Sequence, residues 1–326
     1  LASDIIRYMP TVLVTDSLFF FKEHEKQLID AGFDIERLDK PDATEEELIE
    51  AIKGKVGYLL GGIEHVTEKV IDAADSLKVI SFTGIDFKGM IPAWEHATNK
   101  GIAITNIPGG PTNEVSEWAI TAALLMNRHF LELGRVSKAK KFAVTKGLEG
   151  QKVGIVGLGH VGSKITRMLK VFGPASISYY SLHRHEDKEA ELGINYQDLP
   201  ELLNTCDLVF LCVDGSAKDM FSTTQFNQMK QDALLINITH PGVINDDALF
   251  DALSSKQIRA ISDYPMDDDR FNDLALDRWY CMNTSNTITE AGAKLMSDEV
   301  TNSLINVLTK NTDKHIVNPA YIGHAR

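Results

Sequence analysis

Short apolar runs alternate with amphipathic stretches along most of the chain. Thr11–Thr15, Val56–Leu60, Val79–Phe82 and Ala103–Asn106 read as buried strands. Between them, Phe20–Ala31 (ended by Gly32), Ala43–Ile52 and Thr67–Ala74 carry helical periodicity. Thr44 stands as a helix N-cap, with Glu47 three residues on in capping-box position. After the loop Gly109-Gly-Pro111, Asn113–Phe130 predicts one long helix, and the basic run Arg135–Lys146 reads as a connector. The alternation restarts at Lys152. Strands are expected at Lys152–Val156, Ile177–Tyr180, Asp207–Val213, Ala233–Ile238 and Ile258–Ser262, and helices at Gly162–Phe172, Asp246–Ser255 and Glu290–Leu308. Two such series predict an α/β chain with two doubly wound, Rossmann-like or flavodoxin-like parallel sheets.

Size and composition agree with that picture. The 326 residues suit two domains of about 150, and 44% hydrophobic with 24% charged residues can fill two cores. The formal net charge of −13 argues against nucleic acid or an anionic membrane as partner, and leaves room for a small anion in a local positive pocket. No apolar run reaches the 18 residues of a membrane span; Trp118–Met126 is too short. Leu1–Arg7 lacks the features of a signal peptide, so a cytoplasmic location is expected. Cys206, Cys212 and Cys281 give no disulfide framework and no metal-ligand spacing, and read as buried thiols in a reducing compartment.

The sharpest motif is Gly157-Leu-Gly159-His160-Val161-Gly162, which follows a strand and opens a helix. In that context Gly157 permits the tight turn, Gly159 lets backbone approach a pyrophosphate, and Gly162 lets helix and strand pack closely. Amides at the helix start, His160 and Val161 included, then face phosphate oxygens. Val213, ending a later strand, joins the same cofactor set. NAD recognition uses a carboxylate at the end of the second strand. Here that place falls on Tyr180 or Ser181, and the first acid is Glu186. Ser181, His183 and Arg184 can instead donate to a 2′-phosphate, so the reading leans to NADP, with NAD as the alternative.

The chain resembles the D-2-hydroxyacid dehydrogenase family along essentially its whole length. The resemblance rests on Gly101–Pro108 before Asn113–Glu117, on Leu148–Gly159, and on Met229-Lys230. It rests also on Leu235–Asn237, on Gly242–Leu249 and on Val317-Asn-Pro319. It implies a nucleotide domain (118–299) inserted into a substrate domain (1–117 with 300–326), an active site in the cleft between them, and a homodimer. It also implies hydride transfer between nicotinamide and a small 2-oxo or 2-hydroxy acid. An arginine grips the carboxylate, and a histidine oriented by an acid moves the proton.

Placed residue by residue, the family's arginine position falls on His240, its acid on Met266 and its histidine on Thr284. Asp263 matches the residue that contacts the nicotinamide amide, Thr239 the ribose side, and Gly61-Gly62-Ile63 the loop whose amides meet the substrate carboxylate. All three chemical positions therefore read as substituted. That leaves an oxidoreductase with a non-standard site, in which His240 polarises the carbonyl or serves as acid or base itself, or else only fills the arginine's space as a hydrogen-bonded spacer. The alternative is a catalytically degenerate dinucleotide-binding module, acting as sensor, scaffold or inactive partner.

Overall fold

The structure, a computed structural model, describes residues 9–15, 20–134, 144–213, 217–239, 242–282 and 288–324. Its contacts divide the chain into Leu1–Pro111 with Thr289–Arg326, and Thr112–Ile288.

The first unit holds a parallel sheet of five strands: β1 (Thr11–Thr15), β2 (Asp34–Leu38), β3 (Lys55–Leu60), β4 (Val79–Phe82) and β5 (Ala103–Thr105), in the order β2-β1-β3-β4-β5. Alternate residues of β1 fill opposite faces, as a sheet covered on both sides requires. Leu13 packs with Tyr58, Leu60 and Ile80 on one face, while Val12 and Val14 pack with Leu59 and Val79 on the other. The sequence pattern misses β2, whose Asp34-Ile-Glu-Arg-Leu carries charges because it lies at the sheet edge. Helices α1 (Lys22–Asp30) and α2 (Glu45–Ala51) flank this sheet, and Thr44 with Glu47 forms the expected capping box on α2.

The second unit holds seven parallel strands. They are β6 (Lys152–Val156), β7 (Ser176–Tyr180), β8 (Asn195–Tyr196), β9 (Leu208–Leu211), β10 (Ala233–Asn237), β11 (Ile258–Ser262) and β12 (Trp279–Cys281). Their order is β12-β11-β10-β9-β6-β7-β8. The direction of winding reverses between β6 and β9, so the loops after those two strands diverge and leave a crevice at their carboxyl ends.

Helix α3 (Thr112–Asn127) opens the second unit. The long helix expected over Asn113–Phe130 stops at Asn127. His129 takes a left-handed backbone (φ 50°) and a separate turn, Phe130–Leu133, follows. The buried Arg259 guanidinium supports this end, Nη1 donating to the Met126 carbonyl at 3.3 Å and Nη2 to Asn127 Oδ1 at 3.1 Å. The expected helix over Gly162–Phe172 begins two residues earlier as α4 (His160–Leu169), and ends in a tighter turn at Lys170–Phe172. A further helix, α5 (Glu186–Leu192), follows β7. The last long helix, α6 (Glu290–Lys310), returns to the first unit and lays Met296, Val300, Leu304 and Val307 on its sheet. The sequence boundaries at 117/118 and 299/300 fall inside α3 and α6. Each helix stays whole with the sheet that its apolar face covers. Among the described residues, no helix is long and apolar enough to cross a membrane.

Candidate functional site

Backbone contacts fix the glycine turn at the crevice between β6 and β9. Gly157 N–H donates to the Tyr180 carbonyl at 2.8 Å, and Cys212 N–H to the Val156 carbonyl at 2.8 Å. Gly157 adopts φ +98°, and a β-carbon there would stand 2.6 Å from the Cys212 carbonyl oxygen. A β-carbon on Gly162 would collide with the Gly157 carbonyl, so helix and turn touch only because that residue is glycine. Gly159 differs: a β-carbon on it would meet nothing within 4 Å. The space beside it is open to a ligand. Gly159 is also the N-cap of α4 and, being glycine, brings no side chain to cap it, so among the described residues the amides of its first turn, at His160 and Val161, are open to an anion.

That open space belongs to a cleft of about 860 Å³. Of the residues named from sequence, Gly157, Gly159, Ser181, His183 and Val213 line it, together with His185, Lys188 and Lys218. Among the described residues no carboxylate lines it, in a chain whose net charge is −13. The donor set and the open cradle at Gly159 fit a dinucleotide, with α4 amides at the diphosphate and the β7 end at the adenosine ribose.

Arg184 stands apart from this lining. Its Nε and Nη2 each donate to the Glu189 carboxylate at 2.8 Å, and the guanidinium lies 5.9 Å from the Tyr196 ring centroid. Tyr179 Oη donates to the same carboxylate at 2.7 Å. These bonds hold Glu189 down to about 2. Lys188, which the sequence reading did not single out, is half-buried and donates through Nζ to the Leu158 carbonyl at 2.7 Å. No local pattern marks it, because the contact joins a helix after β7 to the turn after β6.

At the carboxyl ends of β10 and β11, Asn237 organises a buried network. The Thr239 hydroxyl donates to Asn237 Oδ1 at 2.7 Å, and Asn237 Nδ2 donates to Tyr264 Oη at 2.9 Å. The Thr239 hydroxyl is thus engaged within the protein. Asp263 N–H donates to the Asn237 carbonyl at 3.2 Å, which sets the strand end where Asp263 sits. Burial pushes the Tyr264 phenol up, so it stays protonated. Met266 packs against the core under this edge. His240 and Thr284 lie outside the described residues.

Gly61, Gly62 and Ile63 follow β3 in the other unit. Ile63 N–H donates to the Pro41 carbonyl at 2.6 Å, and Gly61 N–H lies 3.4 Å from Thr15 Oγ1. Two of the loop's three amides therefore already face protein acceptors. Glu64, also missed from sequence, is buried beneath the loop and accepts from the Tyr58 hydroxyl at 2.8 Å.

Comparison with known proteins bears on this site. Residues 120–286 match the family model for the NAD-binding domain of D-isomer specific 2-hydroxyacid dehydrogenases. A protein of Staphylococcus haemolyticus, provisionally named a 2-hydroxyacid dehydrogenase, is 30% identical over 283 residues, covering 83% of this chain and 88% of its own. Two solved structures share the fold. An NADPH-dependent glyoxylate/hydroxypyruvate reductase from Sinorhizobium meliloti has a TM-score of 0.79 at 22% identity, over 97% of this chain and 100% of that one. The NAD+-bound 3-phosphoglycerate dehydrogenase of Entamoeba histolytica has a TM-score of 0.78 at 18% identity, over 94% and 98%.

Proposed function

Because the chain belongs to the D-isomer specific 2-hydroxyacid dehydrogenase family, we propose that it is a nicotinamide-dinucleotide-dependent oxidoreductase. It would move hydride to or from a small anionic oxo or hydroxy acid, or a related carbonyl, through a non-standard site. NADP is favoured over NAD. One observation carries the reading: the crevice at the sheet's reversal is open at Gly159 and is lined by lysines and histidines, with no carboxylate among the described residues.

Bound nicotinamide supplies the hydride acceptor or donor. The chain's own groups do the rest. Amides at the start of α4 hold the diphosphate. Ser181 and His183 hold the adenosine end. Buried Asn237 and Thr239 fix the backbone leading into His240, to which the sequence assigns the substrate carbonyl. With Thr284 at the place of the family's histidine and Met266 at the place of the acid that orients it, the family's proton shuttle is missing, so turnover is expected to be slow and the substrate range to depart from simple 2-hydroxy acids.

The test is reduced-nicotinamide absorbance with NADPH and NADH across a panel of 2-oxo acids and aldehydes. Oxidation with at least one carbonyl, faster with NADPH, is the expected result. Silence across the panel, with both coenzymes still raising the melting temperature, would establish the dinucleotide-binding module instead. No thermal shift with either coenzyme would end the dinucleotide reading altogether.

A further inference from the structure

We propose that Lys188, not Arg184, is the side chain that distinguishes a 2′-phosphorylated adenosine from an unphosphorylated one in this cleft. The inference rests on the dinucleotide reading above and assigns its specificity to a residue on α5.

Two cations stand near the end of β7, and their surroundings differ. Arg184 closes a two-pronged ion pair on Glu189, whose side chain is only 15% exposed and also accepts from Tyr179. Turning Arg184 toward a phosphate would strip that sheltered carboxylate of its counter-charge. Glu189 in turn is closed off by the same fork, so it cannot serve as the ribose-binding acid of an NAD site.

Lys188 is differently placed. Lys188 lines the cleft, and among the described residues its ammonium is held by one neutral acceptor, the Leu158 carbonyl in the glycine turn. Exchanging or sharing that carbonyl with a phosphate oxygen gives the ammonium an anionic acceptor in place of a neutral one. Ser181 and His185, 3.4 Å apart, line the same cleft and add further polar groups. Lys218 also lines the cleft but is exposed, and no comparable tether holds it among the described residues. The half-buried, oriented lysine is therefore the better reader of an extra phosphate.

The experiment is calorimetry on the full chain with NADPH, NADH, 2′,5′-ADP and 5′-ADP. Lys188→Met is expected to weaken NADPH and 2′,5′-ADP by roughly tenfold or more while leaving NADH and 5′-ADP within about twofold. Lys188→Arg should retain most of the NADPH affinity, which separates lost charge from lost folding. Arg184→Gln should shift both coenzymes by the same factor. Equal weakening of all four ligands by Lys188→Met would overturn the assignment and make the lysine a diphosphate or loop contact. So would loss of NADPH preference in Arg184→Gln, or tighter NADH than NADPH binding by the unaltered protein. An unaltered protein that binds none of the four sinks the dinucleotide reading, and this inference with it.

Discussion

Gly157 and Cys212 approach so closely that a β-carbon on the glycine would stand 2.6 Å from the Cys212 carbonyl oxygen. This proximity joins the ends of β6 and β9, the two strands on either side of the sheet's reversal. It makes the turn a structural clamp as well as the proposed ligand cradle, and the two roles are expected to separate by residue. Gly157→Ala combines the clash with a left-handed backbone and should lower stability by about 1–3 kcal/mol. Gly159→Ala sits in extended backbone facing open space (φ −79°) and should cost about 1 kcal/mol or less. The second variant should nonetheless lose roughly tenfold in coenzyme affinity, because the methyl fills the cradle. Urea unfolding without ligand, paired with coenzyme titration, measures both. Equal destabilisation by the two substitutions would refute the division of roles.

Asp232 gathers three cations: Lys146 Nζ at 2.9 Å, Arg278 Nη1 at 2.9 Å and the buried Arg259 Nε at 3.4 Å. Burial works to raise its carboxyl, but these cations outweigh it and hold it below the usual 3.8. A carboxyl lowered on folding gives stability that is complete above its unfolded value and drains away as pH falls toward the folded one. Asp232→Asn keeps the left-handed backbone (φ 62°) that asparagine tolerates. It should lose roughly 1–3 kcal/mol at neutral pH, since Arg259 keeps its charge but loses a counter-ion. Below about pH 4 the variant should fall off less steeply than the parent. Parallel stability curves from pH 7 to pH 3 would rule this out.

Leu304 on α6 is fully buried and lies 3.4 Å from where a β-carbon on Gly57 would be. The helix rests directly on β3 at that point. Leu304→Ala should cost about 2–5 kcal/mol, with faster hydrogen exchange in β3 and β4. Unchanged protection of those strands would show that α6 contributes little to the first sheet.

Burial pushes the Cys206 thiol up to about 11, and its side chain is 2% exposed. Alkylation at pH 8 followed by peptide mass analysis should leave Cys206 unmodified until the protein unfolds. Rapid labelling of the native chain would contradict the packing described here.

Much of the architecture was written in local pattern. Val12, Leu13 and Val14, or Leu234, Leu235 and Ile236, are apolar without interruption because both faces of a parallel sheet are covered. The glycine turn was legible because strand, glycines and helix follow one another in the chain, although the demand on Gly157 comes from Cys212 and only that on Gly162 is set within a few residues. At other places the pattern failed. β2 is charged because it is an edge, and α3 ends at Asn127 where Arg259, distant in sequence, meets the Met126 carbonyl and the Asn127 side chain.

The sequence by itself determined two parallel α/β sheets and a glycine turn set between a strand and a helix. Only the tertiary structure decided which cations face the crevice. It took Arg184 into an ion pair with Glu189 and set Lys188 on the Leu158 carbonyl. The physical reason is that backbone pattern is fixed by neighbours in the chain, whereas the availability of a charge depends on every partner that folding brings within a few ångströms of it.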